Sequence, residues 1–124
     1  MNSILHQSII GYFVEKVRYQ EYRDDILCAF SELPEIKDID EPTFLYAHFN
    51  MPHAPFIFSA NGEPFDPARQ SNLGSSGNVD DYINYLKFTN MKIQKLVERL
   101  LDTDEPPIII IQSDHGSGFG IDWE

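Results

Sequence analysis

Four apolar patterns organise the chain. In residues 2–33, Leu5, Ile9, Ile10, Phe13, Val14 and Val17 recur at helical spacing. The phase slips across Arg18–Arg23, and a second apolar face begins with Ile26, Leu27, Phe30 and Leu33. This pattern predicts either a kinked helix or two helices broken near Tyr22–Asp24. Pro34 ends it, because proline lacks the N–H a helix needs and its ring clashes with the preceding turn. Residues 34–42 read as a polar linker. Thr43-Phe44-Leu45-Tyr46-Ala47-His48-Phe49 is rich in aromatic and β-favouring residues and predicts a strand. Residues 58–77 read as loop, and a loop of about 20 residues is uncommon unless it is functional or mobile. Asn78 then caps a helix with Asp81 in its first turn, where the helix dipole favours an anion. Val79, Tyr82, Ile83, Leu86, Ile93, Leu96, Val97 and Leu100 form its apolar stripe; Lys87, Lys92, Lys95, Glu98 and Arg99 lie off it and read as a solvated face. Last comes Pro106-Pro107-Ile108-Ile109-Ile110-Ile111, a branched aliphatic run of the kind buried on both faces of a parallel sheet.

Strand, long loop, helix, strand is the order of a βαβ crossover, which in one sheet is parallel and right-handed. The fold class expected is therefore α/β, and both predicted strands end on one edge of the sheet. Ligands of open α/β sheets bind in the crevice outside the carboxyl ends of the strands. The chemistry-bearing residues fall at those ends. The first strand runs into His48 and then Asn50-Met51-Pro52-His53-Ala54-Pro55, where two prolines stiffen the backbone around His53. The second stops at Ser113-Asp114-His115-Gly116. Asp and His are a natural pair of ligands for a divalent cation, and Gly116 is expected to let the chain turn behind them without a Cβ clash. Taken alone, a solvated strand-end turn accounts for Asp114-His115, and a proline-rich surface turn for His53.

Composition narrows the partners. At 124 residues the chain is at most one domain. A formal net charge of −11 argues against nucleic acid and against an anionic membrane surface. An anionic substrate would then need a bound cation or a local basic group; Arg69 is the one cation of the long loop, and an ordinary solvated arginine is the simpler reading of it. The single cysteine, Cys28, excludes an intrachain disulfide and, among apolar neighbours, is expected to be a buried structural thiol. No apolar run approaches the ~20 residues of a membrane span, and Met1 is not followed by a signal-peptide pattern, so no membrane contact by this chain is expected. His6 is expected on the polar side of the first helix. The glycines of residues 116–120 are not expected to make a dinucleotide fingerprint, since no helix pattern follows to use them.

The stretch Phe44-Leu45-Tyr46-Ala47-His48-Phe49-Asn50-Met51-Pro52-His53-Ala54-Pro55-Phe56, followed by a helix and then Ile109-Ile110-Ile111-Gln112-Ser113-Asp114-His115-Gly116, resembles the sulfatase branch of the alkaline phosphatase superfamily. It looks closest to membrane-anchored sulfatase-like proteins that include lipoteichoic acid synthases. The resemblance spans residues 43–116 and implies a fragment of a parallel-sheet, three-layer α/β/α alkaline-phosphatase-like fold, with residues 1–42 as a helical lead-in and linker and residues 43–124 as a partial sulfatase-like α/β domain. It implies that Asp114 and His115 ligate a divalent metal and that His53 contacts the sulfate or phosphate of a small anionic ester or lipid-headgroup substrate. His48 matches no family role. The parent enzyme would be membrane-anchored with its catalytic domain extracytoplasmic. Nothing before residue 43 looks like the family's nucleophile segment, and Cys28 in Leu-Cys-Ala-Phe-Ser does not fit it, so the chain is expected to be a piece of a larger enzyme and inactive by itself.

The implied chemistry needs those residue types. Cleaving a sulfate or phosphate ester gathers negative charge on the transferring group and the leaving oxygen, which a divalent ion offsets, while a histidine N–H can hold a non-bridging oxygen. Asp beside His favours zinc or manganese over calcium, which prefers all-oxygen shells. Two ligands alone are expected to hold such an ion only weakly. The alternative is a non-catalytic α/β interaction module with a vestigial site.

Overall fold

The computed structural model describes residues 9–65 and 79–116. Expectations that rest on His6, Arg69, Asn78 and residues 117–120 lie outside the described residues. Two helices and a short 3-10 helix make up the regular structure described: α1 (Ile9–Glu32), the 3-10 helix Leu33–Asp38, and α2 (Val79–Leu101).

Of the two arrangements expected, one helix or two, α1 is one: it runs through Tyr22–Asp24 without a break. Residues 12–33 contain neither glycine nor proline, so nothing local interrupts the hydrogen-bond ladder. Side-chain bonds also cross the slip: Gln20 Nε2 donates to Asp24 Oδ1 at 2.9 Å and Arg23 Nη2 donates to Gln20 Oε1 at 3.0 Å. The change of apolar phase marks a change of surroundings instead. Phe13, Val14 and Val17 are exposed, whereas Arg23, Ile26 and Phe30 are buried.

Pro34 does not lead into a linker. It sits in the first turn of the 3-10 helix, where a missing N–H costs little, and is buried there. Three contacts hold this region to the end of α2. Arg99 Nη2 meets Glu35 Oε1 at 2.9 Å, Arg99 Nη1 reaches the Ser31 carbonyl at 3.4 Å, and Lys37 Nζ donates to the Asp102 carbonyl at 3.0 Å.

Helix α2 has the expected span and keeps most of the expected stripe: Leu100 is buried and Tyr82, Ile93 and Leu96 pack against the core, while Val79 and Ile83 are exposed. The buried face is wider than the stripe and takes in Asp81, Tyr85, Phe88 and Thr89. Residues 56–58 account for the added positions by packing aromatic rings on this face. Phe56 lies 5.9 Å edge-on from Tyr85, and Phe58 lies 4.6 Å from Phe88, centroid to centroid. Lys92 is not on a solvated face either. It is half-buried, its ammonium stands 5.1 Å from the Phe30 ring centroid, and desolvation, with Lys95 nearby, lowers its pKa.

The core cluster is Ile26, Phe30, Phe56, Ile57, Phe58, Tyr85 and Phe88. Each such side chain, fully buried, contributes about 1.5–3 kcal/mol of transfer free energy. Phe49 stacks on Phe30 at 4.3 Å and attaches the end of residues 43–49 to this core. A tight turn closes residues 57–65: Ser59 N–H donates to the Glu63 carbonyl at 2.9 Å and Phe65 N–H to the Ile57 carbonyl at 3.0 Å, with an antiparallel bridge between Phe58 and Pro64. Gly62 makes the turn possible, with φ of 83° and only 2.6 Å between a built Cβ and the Phe88 ring.

Residues 43–50 and 106–113 have no regular secondary structure, and among the described residues they form no β-ladder. They are also largely uncovered, with Phe44 91%, Ile108 95% and Ile110 82% exposed. Cys28, expected to be buried, is exposed on α1, because the apolar neighbours it has in sequence face other directions around the helix. Among the described residues no helix is long and apolar enough to cross a membrane.

Candidate functional site

Asp114 and His115 directly follow segment 106–113, and both are exposed. His115 Nδ1 is 2.6 Å from the Gly116 carbonyl oxygen. A carbonyl can only accept, so this contact puts a proton on Nδ1, and in the neutral ring the Nε2 lone pair is then the one free for a ligand. That Nε2 stands 3.8 Å from Asp114 Oδ1. Two ligands of one tetrahedral zinc-type ion are separated by roughly 3.4 Å, so a small side-chain rotation brings this nitrogen and oxygen to chelating distance. Without an ion the pair is a solvated contact worth at most about 1 kcal/mol.

Gly116 does not play the expected steric part. A Cβ built there meets no atom within 4 Å, and its φ is not in the left-handed region. Any small residue would turn there.

His53 projects from the loop after residue 50 and is exposed. The peptide bonds Met51–Pro52 and Ala54–Pro55 on either side of it are cis. Its Nδ1 is 2.5 Å from the Ala54 carbonyl oxygen, which again assigns the proton to Nδ1 and frees Nε2. His53 and His115 thus present the same nitrogen in the same tautomer, each set by the carbonyl of the residue that follows. Asp114 and His115 are in direct contact; His53 makes no hydrogen bond or ion pair with either. His48 is exposed, with Nδ1 3.5 Å from the Tyr46 hydroxyl. Among the described residues, no group of three or more His, Cys, Asp and Glu side chains is placed to hold a metal ion. The donor set present therefore fits two positions of a coordination shell.

An apolar groove of about 560 Å³ lies between the end of α1, the 3-10 helix and residues 45–49, with Leu33, Ile36, Leu45 and Phe49 among its lining and Glu32 and His48 at its polar margin. Sequence patterning also missed two buried polar groups. Arg23 is 5% exposed and its Nε and Nη1 have no hydrogen-bond partner among the described residues; nor has the fully buried Tyr85 hydroxyl. Desolvation pushes the Arg23 pKa down, against the pull of Asp24, and pushes the Tyr85 pKa up, with Tyr22 adding to it. Arg23 was legible in principle, because Tyr19, Arg23, Ile26 and Phe30 share one helical stripe.

The family model described as Sulfatase matches residues 4–121 of this chain. The protein belongs to the sulfatase family. That match takes in α1 as well as both histidine-bearing segments. No curated protein and no solved structure matches the chain. Membership makes this a sulfatase-like hydrolase sequence, and sulfatases typically use a divalent metal ion.

Proposed function

We propose that this sulfatase-family chain carries part of the site of a metal-dependent hydrolase or transferase acting on sulfate or phosphate esters. Asp114 and His115 are two of the metal ligands, and His53 contacts the group being transferred. The observation that carries the reading is the adjacency of Asp114 Oδ1 and His115 Nε2 at 3.8 Å, with the imidazole proton held on the opposite nitrogen. A divalent ion there would neutralise charge on the transferring group and polarise a nucleophile. In hydrolysis the sulfur– or phosphorus–oxygen ester bond breaks, water supplies the new oxygen, and the leaving alkoxide takes up a proton. His53, protonated or through a tautomer with Nε2–H, would donate to a non-bridging oxygen; a proton on the free Nε2 is the change that role requires.

Manganese or zinc suits the Asp-His pair better than calcium, and the two motifs resemble those of the membrane-anchored, lipoteichoic acid synthase-like branch. The reading carries a fold with it: residues 43–50 and 107–112 as parallel strands of one sheet, with α2 packed on it, in a three-layer α/β/α domain. Residues 1–124 contain no nucleophile motif of the family's kind, so the chain by itself is proposed not to turn over a sulfate or phosphate ester. A non-catalytic interaction module is the second reading, favoured by the uncovered apolar segments around Phe44 and Ile108.

Manganese titration followed by electron paramagnetic resonance tests the site. Weak binding, abolished by Asp114→Asn and by His115→Gln and unaffected by His48→Gln, is the expected result. Binding indifferent to both substitutions would remove these residues from the metal site. Metal-dependent ester hydrolysis by the purified chain, lost in Asp114→Asn, would show the nucleophile to be present after all.

A further inference from the structure

Asn61 is the only asparagine of the chain that a glycine follows, and the pair stands in the turn that closes residues 57–65. An asparagine–glycine pair reacts with itself. The glycine nitrogen, with no Cβ beside it to shield the approach, bonds to the asparagine side-chain carbonyl carbon. Ammonia leaves that carbon, taking with it the proton the nitrogen gave up. Water then opens the five-membered imide. Entry at the side-chain carbonyl gives an ordinary aspartate, whereas entry at the main-chain carbonyl gives an isoaspartate, whose backbone is one methylene longer.

The fold holds the attacking nitrogen back. Gly62 N–H donates to the Ser59 carbonyl at 3.0 Å, and a nitrogen whose proton is engaged gives it up less readily. The next amide, Glu63 N–H, donates to Ser59 Oγ at 3.1 Å, and Ser59 N–H donates to the Glu63 carbonyl at 2.9 Å. Gly62 also lies close against the buried Phe88 ring, 2.6 Å from a built Cβ. Turning its nitrogen onto the Asn61 side chain therefore requires the turn to open. Asn61 itself is exposed, so water reaches the side chain and any imide formed there. We propose that Asn61-Gly62 is a self-deamidation site gated by this turn: it reacts from the opened turn, and its isoaspartyl product keeps the turn from closing again. The extra methylene breaks the register of the Ser59–Glu63 and Phe65–Ile57 bonds. Those bonds hold Phe56-Ile57-Phe58 on α2, so the product loosens the core cluster as well as the turn. The inference is independent of the metal-site reading.

Peptide mass spectrometry with isoaspartyl labelling by a protein methyltransferase follows the reaction in mildly alkaline buffer, in the whole chain and in a peptide of residues 57–65. A lone hairpin of that size is marginal at best, so the peptide reports the ungated rate. Asn61 of the folded chain should convert at least about tenfold more slowly, the factor that an opening cost of about 1.4 kcal/mol gives. Denaturing urea should bring the two rates together. Ser59→Ala removes the side-chain acceptor of Glu63 N–H at a half-buried position and should speed conversion about threefold while the circular dichroism stays that of the folded chain. Arg99→Ala, away from the turn, should leave the rate unchanged. Isoaspartyl chains should unfold at lower urea than unreacted ones, whereas Asn61→Asp, with the same added charge on an ordinary backbone, should match the unreacted chain. Equal rates in folded chain and peptide would overturn the gating, and so would a folded Ser59→Ala chain that converts no faster than the original. Isoaspartyl chains as stable as unreacted ones would overturn the claim that the product holds the turn open.

Discussion

Phe56-Ile57-Phe58 and Ile108-Ile109-Ile110-Ile111 are both short, uncharged apolar runs that follow proline, and they end in opposite surroundings. The first is 4%, 0% and 1% exposed, while Ile108 and Ile110 of the second are 95% and 82% exposed. Apolar content does not separate them. Residues 56–58 lie across the Tyr82–Tyr85–Phe88 face of α2, and a tight turn at Gly62 keeps them there. Nothing among the described residues lies over 108–111. Burial, and with it stability, comes from the element that covers a run rather than from the run itself. In this molecule the covered run holds the helices together, and the uncovered one carries Asp114 and His115 at its end.

The sharpest test of this contrast is a pair of truncations. Phe58→Ala should cost about 3–5 kcal/mol, as large-to-small core changes do, whereas Ile110→Ala should stay within about 0.5 kcal/mol. Urea denaturation measures both, and similar losses at the two positions would mean that 108–111 is covered in solution. Arg23→Met comes next. A buried guanidinium with two unpartnered nitrogens carries an uncompensated desolvation cost, so an apolar side chain of similar length should raise stability by about 1–3 kcal/mol. A drop in midpoint would show that Arg23 finds a partner in solution.

Tyr85→Phe removes a buried hydroxyl that has no partner among the described residues and should stabilise by about 1 kcal/mol. It should also change the alkaline limb of the stability curve. Burial raises the folded-state pKa of Tyr85, so above about pH 10 the unfolded chain loses a proton that the folded chain retains. The unfolded state then binds fewer protons, and stability falls as pH rises. That slope should be shallower in Tyr85→Phe when thermal midpoints are compared between pH 9 and pH 11 (roughly the window set by the ordinary tyrosine pKa). The smallest effect is expected from Arg99→Ala. Its bond to Glu35 is 2.9 Å long, but the two side chains are 51% and 62% exposed. The midpoint should move by no more than about 0.5 kcal/mol, because solvent screens such a pair.

The sequence alone determined both helices, the ends of α2, and the two segments that carry candidate chemistry. Helical periodicity and an uninterrupted run of helix-compatible residues are local properties, and so are Pro-His-Ala-Pro and Ser-Asp-His-Gly. The resemblance to sulfatases was legible for the same reason, since both motifs are short and contiguous. The stripe of α2 was legible at Tyr82, Ile93, Leu96 and Leu100, which are buried or pack on the core, but not at Tyr85 and Phe88. Those two are covered because residues 56–58 dock on that face, and periodicity sees one helix at a time. The sequence left open whether α1 is one helix or two at Tyr22–Asp24, since a phase slip records two different surroundings as readily as a break. Arg23 lost its solvent, Lys92 moved over the Phe30 ring and Cys28 stayed outside, each decided by which neighbour lay across from it. At the site, residue order supplied Asp114 beside His115, but only tertiary structure set the tautomer, the 3.8 Å separation and the exposure of both. Those depend on where a carbonyl points and on what covers a strand, and neither is a property of a residue's identity.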